Sequence, residues 1–154
     1  MATTSLTLRS LLGRAASTLA VEGVSLLAGL TPAAKAFAAV TGARAWPGVT
    51  LLVVPTDKDV EQVSADARFF YGALEGASED SIDRAVLPLP SLQVDPYRGM
   101  APHFRVVSAR ARALHAVATG TARLVVASAS ALLPRVASPE RILQASLEIR
   151  SGLE

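Results

Sequence analysis

The sequence predicts an α/β fold: a three-layer sandwich in which a mostly parallel sheet of about four strands is covered by helices on both faces. Strand-like and helix-like segments alternate along the chain, which is the pattern of βαβ units. The composition is 51% hydrophobic but only 5% aromatic, which is typical of helices packed on buried parallel strands. A chain of 154 residues is also long enough to form one compact domain with a proper core.

Four apolar segments are predicted to be strands. The clearest is Thr50 to Pro55, an unbroken run of β-branched residues and leucines that suits a strand buried on both faces. The others are Gly23 to Leu30, Ala85 to Pro90 and Arg123 to Ala131. Right-handed crossovers are expected to join them.

Helices are predicted where apolar residues recur every three or four positions and where capping residues precede them. The predicted helices are a first helix carrying Leu8 to Leu19, Ala33 to Gly42, a helix capped by Thr56 and reaching Leu74, His103 to Thr119, and a last helix that starts at Ser138. Loops are predicted for Gly76 to Asp83 and for Ser91 to Pro102.

The octet GLTPAAKA, residues 29–36, stands where a phosphate-binding loop belongs, between a strand-like run and a helix. The template G-x-x-x-x-G-K-[ST] needs its second glycine for close approach of the backbone to phosphate, and its final hydroxyl to bind Mg²⁺. Those two positions hold Ala34 and Ala36, and Pro32 removes an amide donor. The alternative is an ordinary strand-turn-helix in which the lysine occurs by chance.

We interpret the octet as a vestigial loop, represented by Gly29, Thr31, Lys35 and Ala36, that has lost its nucleotide. The predicted fold is in this sense similar to that of a degenerate P-loop NTPase. No catalytic residue, cofactor or metal is predicted for the chain.

Several other polar groups are more simply explained by the fold than by a site. An acidic cluster at a helix start is accounted for by the helix dipole, a second acidic group lies in a polar loop, two histidines lack metal-ligand spacing, and two serines lack a G-x-S-x-G elbow. These groups are Asp57, Asp59 and Glu61; Glu79, Asp80 and Asp83; His103 and His115; and Ser128 and Ser130.

The formal charge is only +2, too small a basic excess to indicate a nucleic-acid partner by itself. Arg98, Arg105, Arg112 and Arg123 could still form a basic surface, so DNA contact stays open beside a solvated face. The chain has no cysteine, which excludes disulfides and thiol chemistry. No apolar run is long enough to span a bilayer, and we expect a cytoplasmic protein without a membrane partner.

The order of these segments resembles one known family. SLLAGLTPAAKAFAAV looks like a first strand with a degenerate phosphate loop, and TLLVVPTDKDVEQVSADARFF like the next strand and helix. LPSLQVDPYRGMAPHFRVVSARARAL carries a Pro-Tyr pair, a later Pro and an S-x-R at a helix, and RLVVASASALLPRV resembles the fourth strand. Together they resemble the bacterial transcription-repair coupling factor, in the N-terminal module that is similar to the UvrB protein of the excision-repair nuclease.

The resemblance implies a role in nucleotide excision DNA repair, with the UvrA protein of the excision nuclease as partner, mainly through a domain that follows this one. In the family, an ATP-dependent motor and contacts with RNA polymerase and DNA lie in other parts of the full-length protein. An intact Walker A and the helicase motifs are absent from this sequence, so we expect a chain that is not an enzyme. A residual nucleotide-binding or DNA-binding domain is the alternative.

The resemblance also implies a domain division. Residues 1–145 correspond to the α/β subdomain, and residues 146–154 to the start of the following domain, in whose first strand Leu147, Ile149 and Leu153 would lie. The chain is accordingly expected to be a fragment, and its residues after about Ala145 are expected to be disordered, wrapped on their own domain or paired between copies of the chain.

Arg110 is singled out as a structural residue. On the helix that contains it, Val107, Ala111, Leu114 and Ala118 are predicted to form the buried face, and Arg110 falls with them. A guanidinium cannot shed its charge, so it should pair with a carboxylate, for which Asp95 is the candidate, or with loop carbonyls. Extension of the arginine to water along its stem is the alternative.

Overall fold

The computed structural model of the chain describes residues 7–19, 23, 25–94 and 99–147. The chain forms an α/β fold with a parallel three-stranded sheet and helices on both sides. In chain order the elements are α1 (Leu8–Thr18), α2 (Pro32–Ala45), β1 (Thr50–Val54), α3 (Asp57–Glu75), α4 (Glu79–Ala85), β2 (Val86–Leu89), α5 (Phe104–Ala118), β3 (Leu124–Ser128), a 3-10 helix (Ala129–Leu132) and α6 (Pro139–Gln144). None of the helices described is both long and apolar enough to cross a membrane.

The last strand in the sequence lies in the middle of the sheet. The strand order is β1-β3-β2, with Thr50 and Val86 both aligned with Leu124. All five residues of β3 are buried, as expected for a central parallel strand covered on both faces. Because β1 and β2 each pair only with β3 among the described strands, they form the two edges of the sheet.

Alternate residues of the strands supply two separate cores. Leu124 and Val126 of β3 pack with α1, α2 and α3 on the first face. Val125 and Ala127 pack with α5 on the second face. This alternation follows from the two-residue period of a strand. Different helices therefore cover the two faces. Helices α1, α2 and α3 contribute residues to the first core, whereas α5 is the only described α-helix that contributes to the second.

The predicted strand Gly23 to Leu30 is wrong over its described residues, 23 and 25–30, none of which is in a strand. The sheet accordingly has three described strands where about four were predicted. Gly23 and Gly29 have φ angles of +74°, a left-handed conformation that interrupts an extended backbone at both ends of the run. Leu26, in the middle of the run, is 92% exposed. The apolar character of the run is therefore not enough to make it a strand.

The predicted strands around Thr50, Ala85 and Arg123 are confirmed as β1, β2 and β3 within a few residues. The predicted loop Gly76 to Asp83 is partly wrong, because α4 begins at Glu79. The Ser78 hydroxyl accepts from the Ser81 amide and caps that helix, a signal that the sequence contained. The predicted loop Ser91 to Pro102 contains no helix or strand over the part that is described.

Two leucine truncations test whether residues 25–30 lie outside the sheet. Leu124→Ala should lower the free energy of unfolding by about 2–5 kcal/mol, because it leaves a cavity at a fully buried position. Leu26→Ala should change it by less than about 0.5 kcal/mol, because its side chain is in water. Urea unfolding followed by circular dichroism measures both, and comparable losses would mean that residues 25–30 do form a buried strand.

Candidate functional site

The candidate site lies at the carboxyl edge of the sheet, where open α/β proteins usually bind ligands. Three strands end here, and each is followed by a polar residue: Asp57 in the first turn of α3, Ser91 after β2, and Ser128 at the end of β3. The carboxyl ends of parallel strands meet at one edge, so the fold brings these residues together although they are far apart in the sequence.

Asp57 is the acceptor at the centre of this edge. Its carboxylate accepts from the Ser91 amide at 2.8 Å, from the Ser91 hydroxyl, and from the Gln93 amide nitrogen at 3.2 Å. Burial alone would raise the pKa of Asp57, but hydrogen bonds from the Ser128 and Ser91 side chains, the Ser91 amide and Gln93 outweigh it and lower the pKa to about 2. Asp57 is therefore ionised at neutral pH and ties β2 to the start of α3.

Arg110 enters the same edge from α5 and is only 6% exposed. Its Nη1 donates to the Pro90 carbonyl at 2.7 Å and to the Ala131 carbonyl at 3.2 Å. Burial lowers the pKa of Arg110, and the charge of Asp57 partly offsets that effect. One guanidinium thus connects the segment after β2 to the 3-10 helix after β3.

The structure places Arg110 against loop carbonyls, which is one of the two arrangements expected for it; Asp95, the other candidate partner, lies outside the described residues. The predicted buried face of α5 is wrong in detail. The buried residues are Arg110, Ala113 and Ala116, and Val107 is exposed. Small alanines, rather than the larger apolar residues, allow this helix to approach the sheet closely.

The vestigial loop forms an ordinary helix start. The Thr31 hydroxyl caps α2 by accepting from the Ala34 amide at 3.2 Å, and the Lys35 amide donates to the Thr31 carbonyl at 3.0 Å. Two amides that a phosphate would require are thus used within the helix. Lys35 is exposed, and Ala36 is completely buried where a Mg²⁺ ligand would have to reach solvent.

The other candidate groups have structural roles or remain in water. Asp59 forms a capping box with Thr56 at the start of α3, and Asp83 pairs with Arg68, whose hydrogen bond lowers the pKa of that carboxyl. Ser128 is buried and its hydroxyl accepts from the Ala131 amide at 3.2 Å. The exposed residues are Glu61, Glu79, Asp80, His103, His115 and Ser130. Within the described ranges, no cluster of His, Asp and Glu residues could hold a metal ion.

The predicted basic surface is not one surface. Arg123 donates to the carbonyls of Ala43, Trp46 and Pro47 and so holds the turn after α2. Arg105 and Arg112 are exposed on α5, and Arg98 lies outside the described residues. Because the Arg123 guanidinium donates to backbone carbonyls of the chain, it does not add to a basic surface with Arg105 and Arg112. The basic area is therefore smaller than the sequence indicated.

Ser91 and Gln93 were missed by sequence reasoning. The signal for them was that three predicted parallel strands end in Asp57, Ser91 and Ser128, which must converge at one edge. The charged groups of this network, Asp57 and Arg110, already have partners inside the chain, so the network acts as a structural lock that holds the strand ends together.

No family model, curated protein or solved structure matches the chain.

Replacing Arg110 tests the lock. Arg110→Met should reduce the free energy of unfolding by about 3–5 kcal/mol, because the Asp57 charge loses its buried counter-charge and the carbonyls of Pro90 and Ala131 lose their donor. Arg105→Met, on the exposed side of the same helix, should cost less than about 0.5 kcal/mol. Equal melting temperatures for Arg110→Met and the parent would show that Arg110 has no such role.

Proposed function

We propose that this chain is a non-catalytic part of a transcription-repair coupling factor, namely the first α/β subdomain of the module that resembles the UvrB protein of the excision nuclease. In this role it supports recruitment of UvrA during transcription-coupled nucleotide excision DNA repair. The observation that carries the proposal is the ordered series of family-like segments that runs through most of the sequence, from SLLAGLTPAAKAFAAV to RLVVASASALLPRV.

The geometry at the start of α2 supports the non-catalytic part of the proposal. A P-loop leaves backbone amides free to surround an anion, whereas here the amides of Ala34 and Lys35 are bonded to Thr31. The helix begins at Pro32, which has no amide hydrogen. Residues 23 and 25–30, which precede this helix, form no strand, so the strand-loop-helix order of a P-loop NTPase does not occur there in the described part of the chain.

The carboxyl edge of the sheet supports it as well. A nucleotide bound there would have to displace Ser91 from Asp57 or the carbonyls from Arg110. Asp57 and Arg110 already have hydrogen-bond partners within the chain, so a ligand at this edge would have to compete with them.

Nucleotide titration tests the non-catalytic role. Calorimetry with ATP and Mg²⁺ should detect no binding, and a phosphate-release assay no hydrolysis, because the second glycine and the Mg²⁺-binding hydroxyl are absent. The triple substitution Pro32→Gly, Ala34→Gly and Ala36→Thr restores the template and should give at most weak binding. Micromolar affinity of the unmodified chain would instead favour a residual nucleotide-binding domain.

Recruitment is tested by retention of purified UvrA on immobilised protein. The chain alone should retain little, and a version extended through the following domain of the coupling factor that it resembles should retain clearly more, because the resemblance puts most of the docking surface in that domain. Failure of both versions would contradict the proposal. Retention of duplex DNA that is lost in the Arg105→Ala, Arg112→Ala variant would favour the DNA-binding alternative.

A further inference from the structure

The outer edge of β1 carries backbone groups without a strand partner in the described part of the chain. The Thr50 amide donates to the Arg123 carbonyl at 2.9 Å, so Thr50 faces β3. Successive residues of a strand direct their amide and carbonyl groups to opposite sides, so Leu52 and Val54 also face β3. Leu51 and Val53 therefore direct theirs outward, away from the sheet.

The outer edge of β2 carries a protecting residue, and the outer edge of β1 has none among the residues that the structure describes. The Ala85 carbonyl accepts from the Arg123 amide at 2.8 Å, so Val86 and Pro88 of β2 face outward by the same alternation. Pro88 has no amide hydrogen to donate, which is a common protection of edge strands. The sequence of β1, TLLVV, contains neither proline nor charge.

The side chains beside this edge are apolar and accessible. Leu51 is 50% exposed and Val53 is 48% exposed, on the second face of the sheet. Leu51 also lines an open groove of about 350 Å³, with Leu114 of α5 and Leu132 of the 3-10 helix in its walls. Unpaired backbone groups and an uncovered apolar surface thus occur at the same place.

We propose that two copies of this chain pair through β1 in an antiparallel, two-fold symmetric arrangement centred on Leu52. In this register Leu51 lies opposite Val53 of the partner subunit, and each residue both donates to and accepts from the other. The two-fold axis generates the same pair of hydrogen bonds between Val53 and Leu51 of the partner subunit, so every outward amide and carbonyl of the two residues obtains a partner. The two three-stranded sheets become one continuous sheet.

A second copy fits this edge because the edge is complementary to itself. The outward groups are placed symmetrically about Leu52, the opposed side chains are apolar and lie on one face, and no like charges meet. The net charge of +2 gives little repulsion between copies. A contact built on one short strand is smaller than the roughly 1,200–2,000 Å² of a stable interface, so the dimer should exchange with monomer. The inference does not depend on the proposed function.

Sedimentation velocity over a range of concentrations measures this association. The mass of the parent chain should rise with concentration from 16.0 kDa towards twice that value. A double variant, Leu51→Lys with Val53→Lys, places lysine opposite lysine in both cross-strand pairs. The repulsion between these like charges should keep the chain monomeric. Leu51→Lys with Val53→Glu places opposite charges across the two-fold and should restore the concentration-dependent mass.

The two β1 variants introduce the same number of charges at the same half-exposed positions, so a difference between them cannot come from misfolding alone. Leu26→Lys, at a leucine that is 92% exposed and lies outside the strands, is the matched control and should associate like the parent. A parent that stays at 16.0 kDa at every concentration, or equal association of the two β1 variants, would overturn the proposal. So would slow hydrogen exchange of the Leu51 and Val53 amides in a monomer, because a segment of the chain itself would then cover the edge.

Discussion

The arrangement of this domain depends on a buried guanidinium. Arg110 is held inside the fold and cannot lose its charge to lower the cost of burial. The chain must therefore supply acceptors around it, and it does so with the carbonyls of Pro90 and Ala131. Asp57 supplies the opposite charge near by, and Ser91 and Ser128 keep that carboxylate ionised.

This constraint reaches all three strands of the sheet. Asp57 follows β1, Pro90 and Ser91 follow β2, and Ala131 belongs to the helix that follows β3. The hydrogen bonds of Asp57 to Ser91 and of Arg110 to Pro90 and Ala131 thus link the three strand ends, and α5 supplies the arginine. Loss of Arg110 leaves the Pro90 and Ala131 carbonyls without their donor and removes the positive charge near Asp57, which is why a large effect is expected from a single substitution.

The same network bears on function. In other open α/β proteins the carboxyl edge of the sheet is the place where a ligand supplies hydrogen-bond partners, and in this chain the chain itself supplies them. At the start of α2 the amides of Ala34 and Lys35 are likewise bonded within the chain, to the hydroxyl and the carbonyl of Thr31. Exposed apolar side chains lie at the outer edge of β1 and in the adjoining groove.

The sequence by itself determined the α/β class, the three strands and most helix starts, because these signals are local. Apolar runs that contain valine and leucine mark β1 and β3, and Thr56 and Ser138 mark the starts of α3 and α6. Helical spacing was also enough to single out Arg110. The tertiary structure alone decided that residues 25–30 are not a strand, that the last strand is central, and that Asp57 meets Ser91. Those outcomes depend on how segments far apart in the sequence pack against one another, which no short window of sequence encodes.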